Sequence, residues 1–269
     1  MKQLIFTTLV LEEWKETRDT LQKYCRLVGA IRETLSRPLP RSLHTNLLIC
    51  KNGFTTSLIP KNEQSPDQLF EVIIDLIHKR LRIESNYREP LYIALTGQSL
   101  NALCDETCSL LIDIGIKPPL ERPSFLEGTR GQFDPGSVKA YWKAVSSTNR
   151  VLKKIKRELG KETGPIQLRV DNLTLSLAWY CKKVFSNSSL EQIEFGFSTG
   201  DEKFSDAHFF ISPFPNGQAL KKIIPDEKRY QFTKDKSEMI LPYSEVSKVN
   251  NGEQELLVFF RSVLKYPCG

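Results

Sequence analysis

A stretch around residue 50 constrains the fold of this chain more than any other segment. The apolar run Leu47–Ile49 precedes the pair Asn52-Gly53, and a second run, Phe54–Ile59, follows and ends at Pro60. Asn-Gly readily adopts the positive φ angles of a tight type I′ turn, which joins two antiparallel strands. The segment therefore predicts a β-hairpin over residues 44–60, with Gly53 at positive φ.

Helices are predicted on both sides of this hairpin. Apolar residues recur at helical spacing from Trp14 to Leu35, which predicts an amphipathic helix that begins near Glu12. Ser99 is a suitable N-cap for a second helix over residues 100–114, because its hydroxyl can accept a bond from a free backbone N–H.

The second half of the chain repeats this alternation of helix and strand. Asp134-Pro135 combines an N-cap with proline at the first helical position and predicts a helix as far as Leu159, before Gly160. A closing helix is predicted over residues 256–264. Runs rich in β-branched and long aliphatic residues predict strands over residues 69–83, 91–95, 166–170, 173–180, 192–197 and 208–214.

These elements predict an α+β fold, mainly an antiparallel sheet with long amphipathic helices on one face. The order helix–hairpin–strands–helix occurs twice, which suggests two pseudo-repeated halves over residues 1–116 and 134–269. The linker, residues 117–133, is rich in proline and glycine. One compact domain is the alternative. If the halves are real, the cleft between them is the natural place for a ligand.

The composition is that of an ordinary globular protein, with 40% hydrophobic residues, 26% charged residues and a net charge of +6. No apolar run approaches the roughly 18 residues that a membrane helix needs. The apolar start is followed by Glu12-Glu13 without a small-residue cleavage site, so we interpret it as an early strand. We expect a cytoplasmic protein with no membrane partner.

The six cysteines stand at scattered spacings and form no disulfide framework. Cys104 and Cys108 lie four residues apart on a predicted helix. No histidine or cysteine follows them at zinc-finger spacing, so we interpret them as buried thiols. The sequence predicts no metal and no cofactor.

The three histidines offer the only candidates for acid–base chemistry. No phosphate-binding glycine loop, nucleophile elbow or metal-binding histidine pair is present. His44 and His78, with Asp75 nearby in sequence, could form an acid–base pair. Histidines that lie on the surface, or are hydrogen-bonded within strands, are the alternative.

The predicted helix over residues 139–161 is strongly basic, with eight Lys or Arg residues against the single acid Glu158. Such a stripe can bind a phosphate backbone, although a solvated outer face is the favoured interpretation. The candidate nucleic-acid contacts are Lys143, Arg150, Lys154, Arg157 and Lys161.

Motifs spread nearly from end to end point to a known family. They include Glu13-Trp-Lys-Glu-Thr17, Gly53-Phe-Thr-Thr-Ser-Leu-Ile-Pro60, Phe133-Asp-Pro135 and Leu241-Pro-Tyr243. With these motifs the chain resembles a bacterial family catalogued as domain of unknown function 5996. No activity is attached to that family, so the resemblance implies a shared fold and no particular chemistry.

The chain departs from that family at polar and aromatic positions. Relatives carry a histidine- and tryptophan-rich run where this chain has Pro40–Leu43 before His44. Relatives also place alternating aspartates and a histidine along the strand after Phe70, where this chain keeps Asp75. The resemblance implies that any site formed by these positions has changed here.

The function predicted from the sequence is a non-catalytic binding module that holds a small molecule or a protein partner between its halves. Two alternatives stay open. One is an enzyme that uses His44, Asp75 and His78; the other is a nucleic-acid-binding protein that uses the basic helix. Convergence of the histidines on one site would favour the enzyme.

Overall fold

The protein has an α+β fold, as the sequence predicts. The computed structural model describes residues 6, 9, 11–117, 125–180, 183–185, 188–190, 192–200, 204–214, 230–233 and 238–264. The helices are α1 (Leu11–Leu35), α2 (Leu100–Asp113), α3 (Pro135–Leu159), α4 (Tyr243–Ser247) and α5 (Gly252–Arg261). Most of the early strand predicted before Glu12 lies outside the described residues.

The strands pair antiparallel. Those of the first half are β1 (Leu47–Ile49), β2 (Gly53–Thr55), β3 (Ile59–Pro60), β4 (Leu69–Asp75), β5 (Arg80–Ser85) and β6 (Leu91–Ala94). Those that follow α3 are β7 (Thr163–Arg169), β8 (Thr174–Trp179), β9 (Lys183–Phe185), β10 (Ser188–Leu190), β11 (Gln192–Ser198), β12 (His208–Phe214), β13 (Gln231–Phe232) and β14 (Met239–Pro242).

The chain divides into two compact units. The hairpin unit comprises Glu12–Trp142 and Gln167–Leu173, and the C-terminal unit comprises the remaining residues. Two of the boundaries fall within α3 and β7, and another falls at the start of α1. The predicted duplication of two halves, 1–116 and 134–269, stays a prediction.

The strands of the hairpin unit follow the order β1-β2-β4-β5-β6, with β3 also paired to β4. Residues 167 and 168 of β7 pair with Leu48 and Leu47. Phe54 lies opposite Ile74, which lies opposite Leu81. Because successive side chains of a strand point to opposite faces, this register places these apolar residues on one face.

That apolar face packs against helices α1 and α3. Phe54 is fully buried, with its ring 6.4 Å from that of Tyr141 and 6.1 Å from that of Trp142, both on α3. Tyr141 stacks on Trp14 of α1 at 5.1 Å. The aromatic contacts therefore fix which face of the sheet is turned towards the helices.

Two predicted helix starts are confirmed in atomic detail. The Ser99 hydroxyl accepts a hydrogen bond from the backbone N–H of Ala102 at 3.3 Å. The Asp134 carboxylate accepts one from the N–H of Ser137 at 2.6 Å. Gly160 follows α3 with a φ of +72°, as expected of a helix-ending glycine. The closing helix, predicted over residues 256–264, instead begins at Gly252.

The hairpin at residues 47–55 is present, but its predicted turn is wrong. Gly53 does not have a positive φ. The turn closes one residue earlier, where the N–H of Cys50 donates to the Gly53 carbonyl at 2.9 Å, so Gly53 is the first residue of β2. Glycine is required there for another reason: an added Cβ would lie 1.9 Å from the Ile74 carbonyl oxygen.

The strands of the C-terminal unit include the antiparallel run β13-β14-β12-β11-β8. Strands β9 and β10 form a separate two-stranded sheet. The ring of Phe195 on β11 lies edge-on to that of Phe260 on α5 at 5.7 Å. This contact identifies the sheet face that packs against the C-terminal helix.

Candidate functional site

The sheet face of the hairpin unit that points away from α1 and α3 is polar. Its residues alternate with the buried apolar ones along β2, β4, β5 and β6, and the strand register brings them side by side. We call this surface the polar sheet face. It consists of Thr55, Glu71, Asp75, Arg80, Arg82, Glu84 and Tyr92, together with the buried apolar residue Ile73.

Asp75 is the most deeply buried charged group of this face, with a side chain that is 0% exposed. One carboxylate oxygen accepts the N–H groups of Ile77 at 3.1 Å and His78 at 2.9 Å. The other lies 2.8 Å from Nδ1 of His78. These bonds organise the turn between β4 and β5.

The pKa of Asp75 lies below its ordinary value. Burial alone raises this pKa, but the backbone and ring hydrogen bonds from His78 and a side-chain bond from Asn52 outweigh that effect. Asp75 is therefore a carboxylate at neutral pH, and its negative charge is present for the neighbouring arginines.

Arg80 and Arg82 flank this carboxylate without completing hydrogen bonds to it. The Nε atom of each lies 3.7 Å from the same Asp75 oxygen, which is within ion-pair range but too long for a hydrogen bond. Within the described part of the chain, neither buried Nε atom has a hydrogen-bond partner. An unsatisfied buried donor typically costs about 1–3 kcal/mol.

Tyr92 holds the end of the Arg80 side chain. The guanidinium carbon of Arg80 lies 4.2 Å from the centre of the Tyr92 ring, which is a cation–π contact. Arg80 is 32% exposed and Tyr92 48% exposed, so both reach the surface.

The opposite end of the polar sheet face is acidic. Glu71 pairs directly across the strands with Glu84, an arrangement of like charges that destabilises a sheet. Thr55 donates its hydroxyl hydrogen to Glu71 at 2.6 Å, and Arg82 Nη1 lies 3.1 Å from a Glu84 oxygen. These two contacts partly offset the repulsion.

The structure brings Asp75 and His78 together but places His44 elsewhere. His44 precedes β1, and its Nδ1 accepts the N–H of Leu39 at 3.2 Å. Strand β1 leads away from His44 to the turn at 50–53, and Asp75 pairs with Gly53 beyond that turn. His44 and Asp75 therefore lie towards opposite ends of the hairpin.

The cysteines of this unit do not add an obvious nucleophile or metal centre. Cys50 is half-buried, and burial, together with the nearby Glu71 carboxylate, raises its pKa. Cys104 and Cys108 are buried on α2. Across the described residues, no group of three or more His, Cys, Asp or Glu side chains could hold a metal ion.

The basic helix is α3, whose candidate contacts from residue 143 onwards belong to the C-terminal unit. Lys143, Arg150 and Arg157 are exposed at seven-residue intervals, about 10.5 Å apart along the helix axis. Lys161 is exposed just beyond the helix end. Lys154 is half-buried and pairs with Glu253 of α5, so it differs from the other candidates.

A small cavity is also present in the C-terminal unit. Its volume is about 110 Å³, which is room for a few water molecules and too little for most ligands. It is lined by Tyr230, Leu241, Glu245, Val246, Val249 and Glu255. We rank it below the polar sheet face.

Comparison with known proteins identifies the family. The model of a family of unknown function, DUF5996, matches residues 6–267. The chain belongs to this family. Searches of curated proteins and of solved structures each found no match. Within the described residues, no helix has the length and apolar character needed to cross a membrane.

Sequence reasoning missed Arg80, Arg82, Glu84 and Tyr92. The signal was the strict alternation Arg-Leu-Arg-Ile-Glu over residues 80–84, which is typical of a strand with one polar and one apolar face.

Proposed function

We propose that this protein is a non-catalytic binding module and that the polar sheet face of the hairpin unit is its binding surface. The observation that carries this proposal is the Arg80 side chain, which makes no hydrogen bond in the described part of the chain and keeps its guanidinium partly exposed between Asp75 and Tyr92. A guanidinium whose donors are not all satisfied within the protein can bind an acceptor from outside, which favours a role in recognition.

The chemistry of the face favours binding over catalysis. The Asp75 carboxylate already accepts the turn N–H groups and the His78 ring, so it is engaged in holding the backbone. The raised pKa of Cys50 leaves its thiol protonated at neutral pH, which makes it a weak nucleophile. Rigid strands carrying fixed charges are well suited to recognition.

The test is an NMR screen of the whole chain labelled with ¹⁵N against pools of small metabolites. We expect at least one compound to shift the backbone resonances of residues 53–55, 71–75 and 80–84 in a saturable manner. The double variant Arg80→Gln with Arg82→Gln should lose this response. Arg88→Gln, which alters an exposed arginine just beyond β5, is the matched control and should keep it.

The proposal fails if pools that bind the protein shift only resonances outside the polar sheet face. It also fails if the double variant binds as tightly as the parent while remaining folded. Thermal unfolding of each variant should accompany the titration, so that loss of binding is separated from loss of structure.

A second candidate function is acid–base catalysis by Asp75 and His78. The favouring observation is the 2.8 Å contact between the Asp75 carboxylate and Nδ1 of His78, whose side chain is 53% exposed. An oriented and accessible imidazole is a recurrent feature of general bases. Turnover of any compound in a broad substrate panel, lost in His78→Gln but kept in His44→Gln, would promote this function over binding.

A further inference from the structure

At the arginine end of the polar sheet face, one side chain, that of Arg80, is available to contact a ligand. Both Nε atoms are buried, so the terminal Nη groups are the donors that a ligand can reach. Arg82 already directs Nη1 to Glu84 at 3.1 Å. The Arg80 side chain makes no hydrogen bond in the described part of the chain and is the more exposed of the two, at 32% against 19%.

The Arg80 guanidinium is also held in position from two sides. Asp75 attracts its Nε from 3.7 Å, and the ring of Tyr92 lies 4.2 Å from its central carbon. A guanidinium fixed in this way loses little freedom on binding, and its planar fork matches the two oxygens of a carboxylate.

Resting on the binding function proposed above, we infer that the ligand is a small organic acid with one carboxylate, which binds the terminal Nη groups of Arg80, and with a planar body that lies beside Tyr92. The inference rests on the local complementarity between a carboxylate and the partly exposed Arg80 guanidinium, and on the exposed Tyr92 ring next to it. A bidentate Arg–carboxylate contact is a strong and directional form of hydrogen bonding.

The other charges on the face disfavour a ligand with more than one negative charge. Arg80 and Arg82 are opposed by three carboxylates, those of Glu71, Asp75 and Glu84. A phosphate monoester carries about −1.5 to −2 charges at pH 7 and would be repelled more strongly than a carboxylate. A polyanion such as nucleic acid would be repelled more strongly still.

The inference can be tested by titrating the whole protein with benzoate while recording the side-chain Nε–Hε resonances of its arginines. We expect the Arg80 resonance and the backbone amides of residues 80–82 to shift saturably. Benzamide, the neutral analogue, should leave them in place. Inorganic phosphate should bind more weakly than benzoate.

Variants at residue 80 separate charge from geometry. Arg80→Gln should weaken benzoate binding at least about tenfold, as expected on losing a charge-assisted contact. Arg80→Lys keeps the charge but loses the planar fork, and should fall between the parent and Arg80→Gln. Arg88→Gln is the control and should bind benzoate like the parent.

The outcomes distinguish this inference from the proposed function. Equal shifts with benzamide and benzoate, or tighter binding of phosphate, would overturn the carboxylate assignment and leave the binding surface standing. The same holds if benzoate is silent while another compound shifts the polar sheet face. If no compound shifts any resonance of this face, both the inference and the proposed function fail.

Discussion

The sheet faces turned away from the helices differ between the two units: that of the hairpin unit is charged, whereas one central row of the other is buried and uncharged. In the hairpin unit, the face turned away from the helices carries Glu71, Asp75, Arg80, Arg82 and Glu84. In the C-terminal unit, the face opposite the Phe195–Phe260 contact carries the cross-strand row Ser176, Gly196, Phe210 and Ile240. Every side chain of that row is buried, and none is charged.

The same antiparallel pairing therefore carries buried, uncharged side chains in one unit and charged side chains in the other. Phe210 lies directly across the strands from Gly196. A Cβ added to Gly196 would come within 2.4 Å of the phenyl ring, so the ring fills the space that the glycine leaves. The hairpin unit instead has charged side chains on this face. Their energetic cost comes from Nε donors without hydrogen bonds and from the two facing carboxylates, Glu71 and Glu84. Such a cost is understandable at a binding surface and is not needed for the fold.

The largest effect is expected at Asp75, the carboxylate that joins the turn to the arginines. Asp75→Ala should lower the free energy of unfolding by about 3 kcal/mol, because it removes one partner from a buried ionic cluster and leaves N–H groups unsatisfied. Urea titration would measure this change. Glu63→Ala, at an exposed loop acid, is the control and should stay within about 0.5 kcal/mol of the parent.

The pH dependence provides an independent check of the same residue. The pKa of Asp75 is lowered below 3.8 in the folded protein, so the folded state favours its ionised form. Its contribution to stability is therefore complete above pH 3.8 and is lost as the pH falls through the lower folded pKa. The advantage of the parent over Asp75→Asn should shrink in that acidic range; a gap that grows there would contradict this assignment.

The next effect concerns Gly53, where backbone from the neighbouring strand comes close. Gly53→Ala should destabilise the protein by about 2–3 kcal/mol, since its Cβ would lie 1.9 Å from the Ile74 carbonyl oxygen and the strands must separate. Gly128→Ala is the control, because its Cβ would meet no atom within 4 Å. Its expected effect on urea unfolding is neutral or slightly stabilising.

The variant Gly53→Asn tests why glycine is required at residue 53. The two explanations are the close approach of the Ile74 carbonyl oxygen and the positive φ that the sequence predicts. Asparagine tolerates a left-handed backbone better than alanine does, so it would be the milder substitution if φ were positive. If the close approach is the reason, Gly53→Asn should destabilise the protein at least as much as Gly53→Ala.

Local chemistry accounts for what could be predicted from the sequence. The N-caps Ser99 and Asp134 bond backbone groups only three residues away, so their roles follow from neighbouring residues alone. The role of Gly53 depends on Ile74, which belongs to a different strand, and sequence spacing does not reveal that approach.

The candidate site follows the same rule. The sequence places Asp75 and His78 three residues apart, and the structure joins them. The sequence alone does not reveal that His44 lies at the far end of the hairpin. The arginines become neighbours of Asp75 only through the register of β4 with β5.

A smaller effect is expected in the C-terminal unit at Gly196. Gly196→Ala should cost about 1–2 kcal/mol, because its Cβ would contact the ring of Phe210 and approach the Leu175 carbonyl oxygen to 2.7 Å. Phe210→Leu should offset part of this cost in the double variant, since a side chain can move where backbone cannot. Fully additive costs in urea titration would contradict the proposed interlocking of the two residues.

The smallest effect is expected on α3, whose exposed charges contrast with the buried charges of the polar sheet face. Reversing Arg150 and Arg157 to glutamate should change the free energy of unfolding by no more than about 0.5 kcal/mol, because both side chains are exposed.

We expect mixed DNA and RNA to bind no tighter than about 10⁻⁴ to 10⁻⁶ M at physiological salt, the non-specific range. Lys143, Arg150 and Arg157 recur only every seven residues along α3, and Lys154 is already paired with Glu253. Gel-shift titration at two salt concentrations would measure the affinity, with Lys51→Glu and Arg88→Glu as a charge-matched control in the hairpin unit. Nanomolar, salt-sensitive binding that is lost only on reversing the α3 arginines would move the functional surface from the polar sheet face to α3.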